Sequence, residues 1–142
     1  MSNQLAVLFP GIGYHIDKPL LYYSAKLARA RGCEILAVQY PALPTGLRGH
    51  AEKIEQAVQI ALSAAEEQLA TIDWTAYDRV FFLSKSIGTA IAARYAVQHG
   101  IHPRQVYYTP IEQTLPYLDP TGIAFHGTAD PWADTEIITN GC

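Results

Sequence analysis

Short, mostly apolar runs alternate along the chain with longer stretches in which apolar residues recur every third or fourth position. The runs are Leu5–Phe9, Ile35–Val38, Val80–Leu83, Val106–Thr109 and Ile123–Gly127. Runs without polar alternation are the pattern of strands covered on both faces. Between the first two, Asp17 as N-cap and Pro19 in the first turn start a helix. It continues through Leu20, Leu21, Tyr23, Leu27 and Ala28, with Lys26, Arg29 and Arg31 in its last turns. Cations there suit the negative end of the helix dipole, and Gly32 supplies a left-handed exit. A loop carrying Pro41, Pro44, Gly46 and Gly49 leads into the longest helix, about residues 50 to 71. Ile54, Val58, Ala61, Leu62, Ala65 and Leu69 form its apolar stripe, while Glu52, Lys53, Glu55, Glu66 and Glu67 fall mostly on the solvated side.

After Val80–Leu83 a helix rich in small residues runs through Ala90, Ile91, Ala93, Ala96 and Val97 to Gly100. The fourth run is followed by a link punctuated by Pro110, Pro116 and Pro120, and residues 133 to 139 can begin one more helix. Strands alternating with helical stretches imply a doubly wound α/β domain, a five-stranded parallel sheet with helices on both faces. There is no internal repeat and no linker, so residues 1–142 read as one domain. In such sheets ligands bind beyond the carboxyl ends of the strands. That directs attention to residues 10–16, 40–46, 84–88, 109–118 and 127–134.

Composition narrows the classes. Hydrophobic residues at 49% and charged residues at 16% exclude a disordered chain. A formal net charge of −3 leaves no general basic field for nucleic acid or an anionic membrane. No stretch approaches the roughly 18 apolar residues that a spanning helix needs. Met1-Ser2-Asn3-Gln4 has no positive charge and runs directly into a strand, unlike a secretory signal. Cys33 and Cys142 match no metal or redox spacing. The expectation is a cytoplasmic protein with neither nucleic acid nor membrane as partner, and with no metal or organic cofactor.

The segment with most chemical content is Ser84-Lys85-Ser86-Ile87-Gly88, between an apolar strand and a small-residue helix. It resembles the nucleophile elbow of the α/β-hydrolase family, G-x-S-x-G in a strand–turn–helix context. Small residues are needed two before and two after the serine, because neighbouring side chains collide in so sharp a turn. Gly88 meets the demand; Ser84 departs from the first glycine but is small. The competing reading makes Ser86 a plain helix N-cap, which leaves Gly88 unexplained. His126-Gly127-Thr128-Ala129-Asp130 resembles the family's acid segment, and the resemblance assigns Asp130 the role of orienting a histidine. A turn aspartate before Pro131 is the plainer alternative, and Asp134 is a weaker candidate, better suited to capping a helix. Phe9-Pro10-Gly11-Ile12-Gly13-Tyr14 resembles the family's oxyanion loop. It implies an oxyanion hole formed by the N–H groups of Ile12 (or Gly13) and Ile87. The three segments stand in the family's chain order, and the resemblance covers nearly the whole chain. It implies a sheet of order 2-1-3-4-5, the central part of an α/β-hydrolase fold. It also implies a serine esterase or related hydrolase acting on a small acyl substrate through an acyl-enzyme.

The family's histidine should follow Asp130 after a further helix and strand, and none of the five histidines stands there. His50, His99, His102 and His126 read as structural. His15, beside the oxyanion loop, is the one histidine on the correct sheet edge. The expectation is therefore a C-terminally incomplete domain, with loss of catalysis as the other possibility. The fifth strand would be left as an apolar edge, which pairing with a second copy in a homodimer would also cover. The link from Pro110 to Thr121 is too short for a lid, so an open, shallow site is expected. Gly13, Tyr14, Lys85 and Trp132 would line the substrate pocket, with Lys85 favouring an anionic substrate or simply solvated. Tyr40 and Tyr108 either join that wall or cover the core. Two other readings compete. One is a catalytically inactive α/β-hydrolase-like binding scaffold. The other is a nucleotide-binding flavodoxin- or Rossmann-like module, suggested by Gly11-Ile12-Gly13. Against the latter, Ile16 stands where a third small residue belongs, and Gln39-Tyr40 ends the second strand without an acidic residue.

Overall fold

Leu5, Val7 and Phe9 point to one side of the first strand, β1 (Gln4–Phe9), and Ala6 and Leu8 to the other; all five are buried. This period of two on a wholly apolar run explains why the strand shows no polar alternation: both its faces are core. A computed structural model describes residues 3–11, 19–41 and 51–125. In it β2 (Glu34–Ala37), β1, β3 (Arg79–Lys85), β4 (Arg104–Tyr108) and β5 (Ile123–Phe125) form a five-stranded, all-parallel sheet in the order β2-β1-β3-β4-β5.

One face of the sheet is covered by α2 (Ala51–Leu69) and α3 (Ile87–His99), the other by α1 (Pro19–Ala30). The stripe expected on α2 is buried to its last member, with Ala57 added. Gly32 and Gly100 take the left-handed conformation that ends α1 and α3. α3 is buried from Ile87 to Ala96, since it is wedged between the sheet, α2 and the segment before β5. Side chains as small as Gly88, Ala90, Ala92 and Ala93 let it approach that closely. Phe9, Phe82, Trp74 and Tyr95 pack ring against ring beneath it.

Some expectations shift. The Pro-punctuated link folds into a 3-10 helix, Glu112–Tyr117, against α3, with Pro116 inside it. Its i→i+3 bonding tolerates a proline for which an α-helix would lose a hydrogen bond. Leu27 and Val97, placed on helical faces by periodicity, are 56% and 59% exposed, because no described element lies over them. Among the described residues β5 pairs only with β4, and Ile123 and Phe125 are half exposed. No helix among the described residues is long and apolar enough to cross a membrane.

Candidate functional site

The crossover reverses between β1 and β3: from β1 the chain goes outward to β2 on one side, then returns to β3 on the other. The crevice beyond the carboxyl ends of the strands lies at that switch point, and Ser86 stands there. Phe9, the last residue of β1, is opposite Ser84 of β3, while Lys85 is opposite Tyr108 of β4. Ser86 therefore leaves the sheet flanked by the ends of β1 and β4.

Its backbone is unusual. Ser86 has φ 54° and ψ −122°, the mirror image of extended geometry, a region that favours glycine. A side chain held there is strained by about 1–3 kcal/mol, and such strain persists only where the surroundings over-determine the conformation. Those surroundings are visible. The Ser86 N–H donates to the Tyr108 carbonyl at 2.9 Å, so β3 keeps its ladder bond to the last moment. The Ser86 carbonyl accepts from the Thr89 N–H at 2.9 Å and from the Thr89 hydroxyl at 2.6 Å. Strand and helix thus grip opposite ends of one residue.

Ser86 occupies the N-cap position of α3, yet its side chain makes no capping hydrogen bond. The helix-cap reading of this serine does not hold, because its hydroxyl accepts no hydrogen bond from the first turn of α3. It is half buried, neither sealed in the core nor fully exposed. Ile87 is the first residue of α3 and is buried, and the N–H of a first helical residue has no intrahelical acceptor.

Both small neighbours are explained. A Cβ on Gly88 would lie 2.0 Å from the Phe9 carbonyl oxygen and 2.7 Å from that of Pro10. The start of α3 is therefore pressed onto the end of β1, at the entry to the segment singled out as an oxyanion loop. Ser84, where a glycine was the pattern, is fully buried, and its hydroxyl donates to the Val106 carbonyl at 3.2 Å. The site accepts a serine because the neighbouring strand offers its hydroxyl an acceptor.

Lys85 donates from Nζ to Thr109 Oγ1 at 2.8 Å, and Thr109 in turn donates to the Tyr108 carbonyl. Thr109 itself has φ 48°, an outlier for a β-branched residue, and its N–H donates to the Phe125 carbonyl. Strained residues thus follow two adjacent strands at the same sheet edge. Sequence inspection missed Thr109, Thr89 and Thr114. Threonine carries no turn signature, and nothing in its spacing announces a positive φ.

Ile12, Gly13, Tyr14, His15, Asp130, Trp132 and Asp134 lie outside the described residues. Tyr40 and Tyr108 cover the core instead of forming a site wall. Tyr40 packs on the α2–α3 face with its hydroxyl buried, and Tyr108 stacks on Phe125 and hydrogen-bonds Ser24 at 2.8 Å. His99 stacks on Tyr95 and lies 3.7 Å from Glu66 at the end of α3, far from Ser86 at its start. A groove of about 220 Å³ runs along the α1 face, lined by Leu27, Phe81, Leu83, Val106 and Tyr108 among others, and Ser86 is not in its wall. No cluster of metal-ligating side chains occurs among the described residues.

A scan against protein-family models returned no match, and neither did a search of curated proteins.

Proposed function

We propose that the chain is a serine hydrolase of α/β-hydrolase type, cleaving a small carboxylic ester or related acyl compound with Ser86 as nucleophile. The observation that carries the reading is the conformation of Ser86: φ 54°, ψ −122°, at the β3–α3 junction, its hydroxyl not spent on capping the helix. A strained serine beyond the end of a central strand, next to the start of a helix, is the arrangement an exposed nucleophile requires.

In this mechanism Ser86 Oγ attacks the substrate carbonyl carbon and passes its proton to a general base. The carbonyl oxygen becomes an oxyanion, held by the Ile87 N–H and by an N–H of the loop after β1, from Ile12 or Gly13. Two such donors lower the barrier by several kcal/mol when they are fixed before reaction. Collapse breaks the bond to the leaving oxygen, to which the protonated base returns the proton, so that the alcohol departs and an acyl group is left on Ser86. Water, giving a proton to the freed base, then attacks the acyl carbon; the bond to Ser86 Oγ breaks, the carboxylic acid leaves, and the base returns the proton to the serine. Asp130 is assigned to orient the base, which a histidine would supply. Lys85, Tyr14 and Trp132 are assigned to the substrate pocket.

A fluorophosphonate probe tests the reading, because it phosphonylates only an activated serine. Labelling at Ser86 in a product that includes a histidine downstream of Asp130, abolished in Ser86→Ala, is the expected result, because a serine without a base is a poor nucleophile. No labelling of that product would overturn the catalytic assignment and leave a binding scaffold of the same fold.

A further inference from the structure

The carbonyl of Ser86 is the end of a buried chain of hydroxyls. Thr89 Oγ1 donates to it at 2.6 Å, and Thr114 Oγ1 lies 2.7 Å from Thr89 Oγ1. Both threonines are fully buried. A hydroxyl carries one hydrogen. That of Thr89 is committed to the Ser86 carbonyl, which can only accept, so the bond between the threonines must run from Thr114 to Thr89. The chain therefore has a single direction, Thr114 to Thr89 to Ser86, and every link is satisfied.

Thr114 belongs to the 3-10 segment Glu112–Tyr117, and that segment is itself fastened. Arg94 of α3 donates to the Gln113 carbonyl at 3.0 Å, forms a paired contact with both Glu55 carboxylate oxygens of α2 at 2.6 and 2.8 Å, and lies over the Tyr117 ring. Arg94 is only 7% exposed. A buried guanidinium used on both sides in this way fixes the segment at Gln113, one residue before Thr114.

We infer that Thr89 and Thr114 are positioning residues for Ser86. The segment between β4 and β5 acts as a strap that sets the elbow's backbone through their two hydroxyls. The inference rests on the reading of Ser86 as a nucleophile for its catalytic consequence, though not for its structural part. Rotation about the Ser86 Cα–C bond would swing the carbonyl off Thr89. The same rotation would move the Ile87 N–H, since carbonyl and N–H share one peptide plane. Holding the carbonyl thus aims the N–H assigned to the oxyanion. It also resists relaxation of φ and ψ to an ordinary value.

The test uses that same product with Thr89→Val, Thr114→Val, Thr89→Ser and Thr114→Ser. Two quantities are measured: the amide exchange rate at Thr89 relative to Tyr95 farther along α3, and the rate constant for fluorophosphonate labelling of Ser86. The valine variants are expected to speed exchange at Thr89 but not at Tyr95. They are also expected to slow labelling by about ten- to a hundredfold, the scale of a misplaced reacting group. The serine variants, which keep the hydroxyl and lose a methyl, are expected to restore both. Valine variants that exchange and label like the wild type would overturn the inference, as would serine variants as impaired as valine. If Thr89→Val does not fold, Thr114→Val decides, because it leaves the bond to Ser86 in place and removes only its support. If the wild-type product does not label at all, the hydrolase reading falls, and exchange at Thr89 alone judges the positioning.

Discussion

Gly88 and Phe9 are packed so closely that a methyl group on the glycine would sit 2.0 Å from the Phe9 carbonyl oxygen and 2.6 Å from its carbon. The obstacle is backbone in the central strand, which cannot swing aside as a flexible side chain would. Gly88→Ala is therefore expected to destabilise the chain by about 3 kcal/mol or more through overpacking. Gly100→Ala meets nothing within 4 Å and faces only its left-handed φ of +63°, a cost of about 1–2 kcal/mol. Chemical denaturation of the two variants side by side measures the contrast, and equal losses would mean that helix and strand are less closely packed than described.

Ser86 makes the opposite prediction. Because its hydroxyl makes no capping bond, Ser86→Ala is expected to change stability by less than about 0.5 kcal/mol, where loss of a true cap costs about 1 kcal/mol. Ser86→Gly removes the side chain that the mirror-image conformation strains, and is expected to raise stability by about 1 kcal/mol. Both abolish fluorophosphonate labelling. A variant more stable and inert is the signature of strain kept for chemistry, and denaturation midpoints measure it.

Glu55 links stability to pH. Its hydrogen bonds with Arg94 hold the carboxyl below its ordinary value of 4.5, against a smaller opposing effect of partial burial. A carboxyl whose folded pKa is depressed stabilises the fold fully above the unfolded value, and that contribution is lost as pH falls through the folded one. Glu55→Gln is expected to cost about 1–2 kcal/mol at neutral pH, the lower part of that range reflecting a carboxylate that is partly solvated. The gap between wild type and variant should narrow as pH falls below 4.5. Denaturation curves at pH 7, 5 and 3 test this, and a gap that stays constant would contradict it.

Tyr40 carries a buried hydroxyl with no hydrogen-bond partner among the described residues, and desolvation pushes its pKa upward. An unpaired buried hydroxyl opposes folding. Tyr40→Phe keeps the ring and removes the orphan, so it is expected to leave stability unchanged or raise it by about 1 kcal/mol. A loss exceeding 1 kcal/mol in thermal or chemical unfolding would show that the hydroxyl is bonded in solution.

The sheet was legible in the sequence because burial on both faces writes itself as continuous apolar runs, and a parallel connection needs an intervening helix or its equivalent. Leu5–Phe9 and Val80–Leu83 lie within β1 and β3, and the order 2-1-3-4-5 follows the expectation. The stripe on α2 was equally readable, since it contacts the core along its full length. Ser86 and Gly88 could be singled out because sharp turns admit few residue types. The periodicity of α1 and α3 overreached at Leu27 and Val97, where helical spacing continues beyond the neighbours that would cover it.

What folding alone decided is the relation between residues far apart in the chain. Thr89 and Thr114 are 25 positions apart, and Glu55 and Arg94 are 39; the partners of each pair lie on different elements, so no helix or strand period relates them. Threonine hydroxyls acquire a direction only when packing removes every acceptor but one. The positive φ of Ser86 and Thr109 likewise belongs to no residue preference. At Ser86, where the elbow pattern already marked a sharp turn, it is held by the bonds to Tyr108 and Thr89; at Thr109, where nothing marked it, the backbone is tied to Phe125, a residue 16 positions on that local sequence does not register.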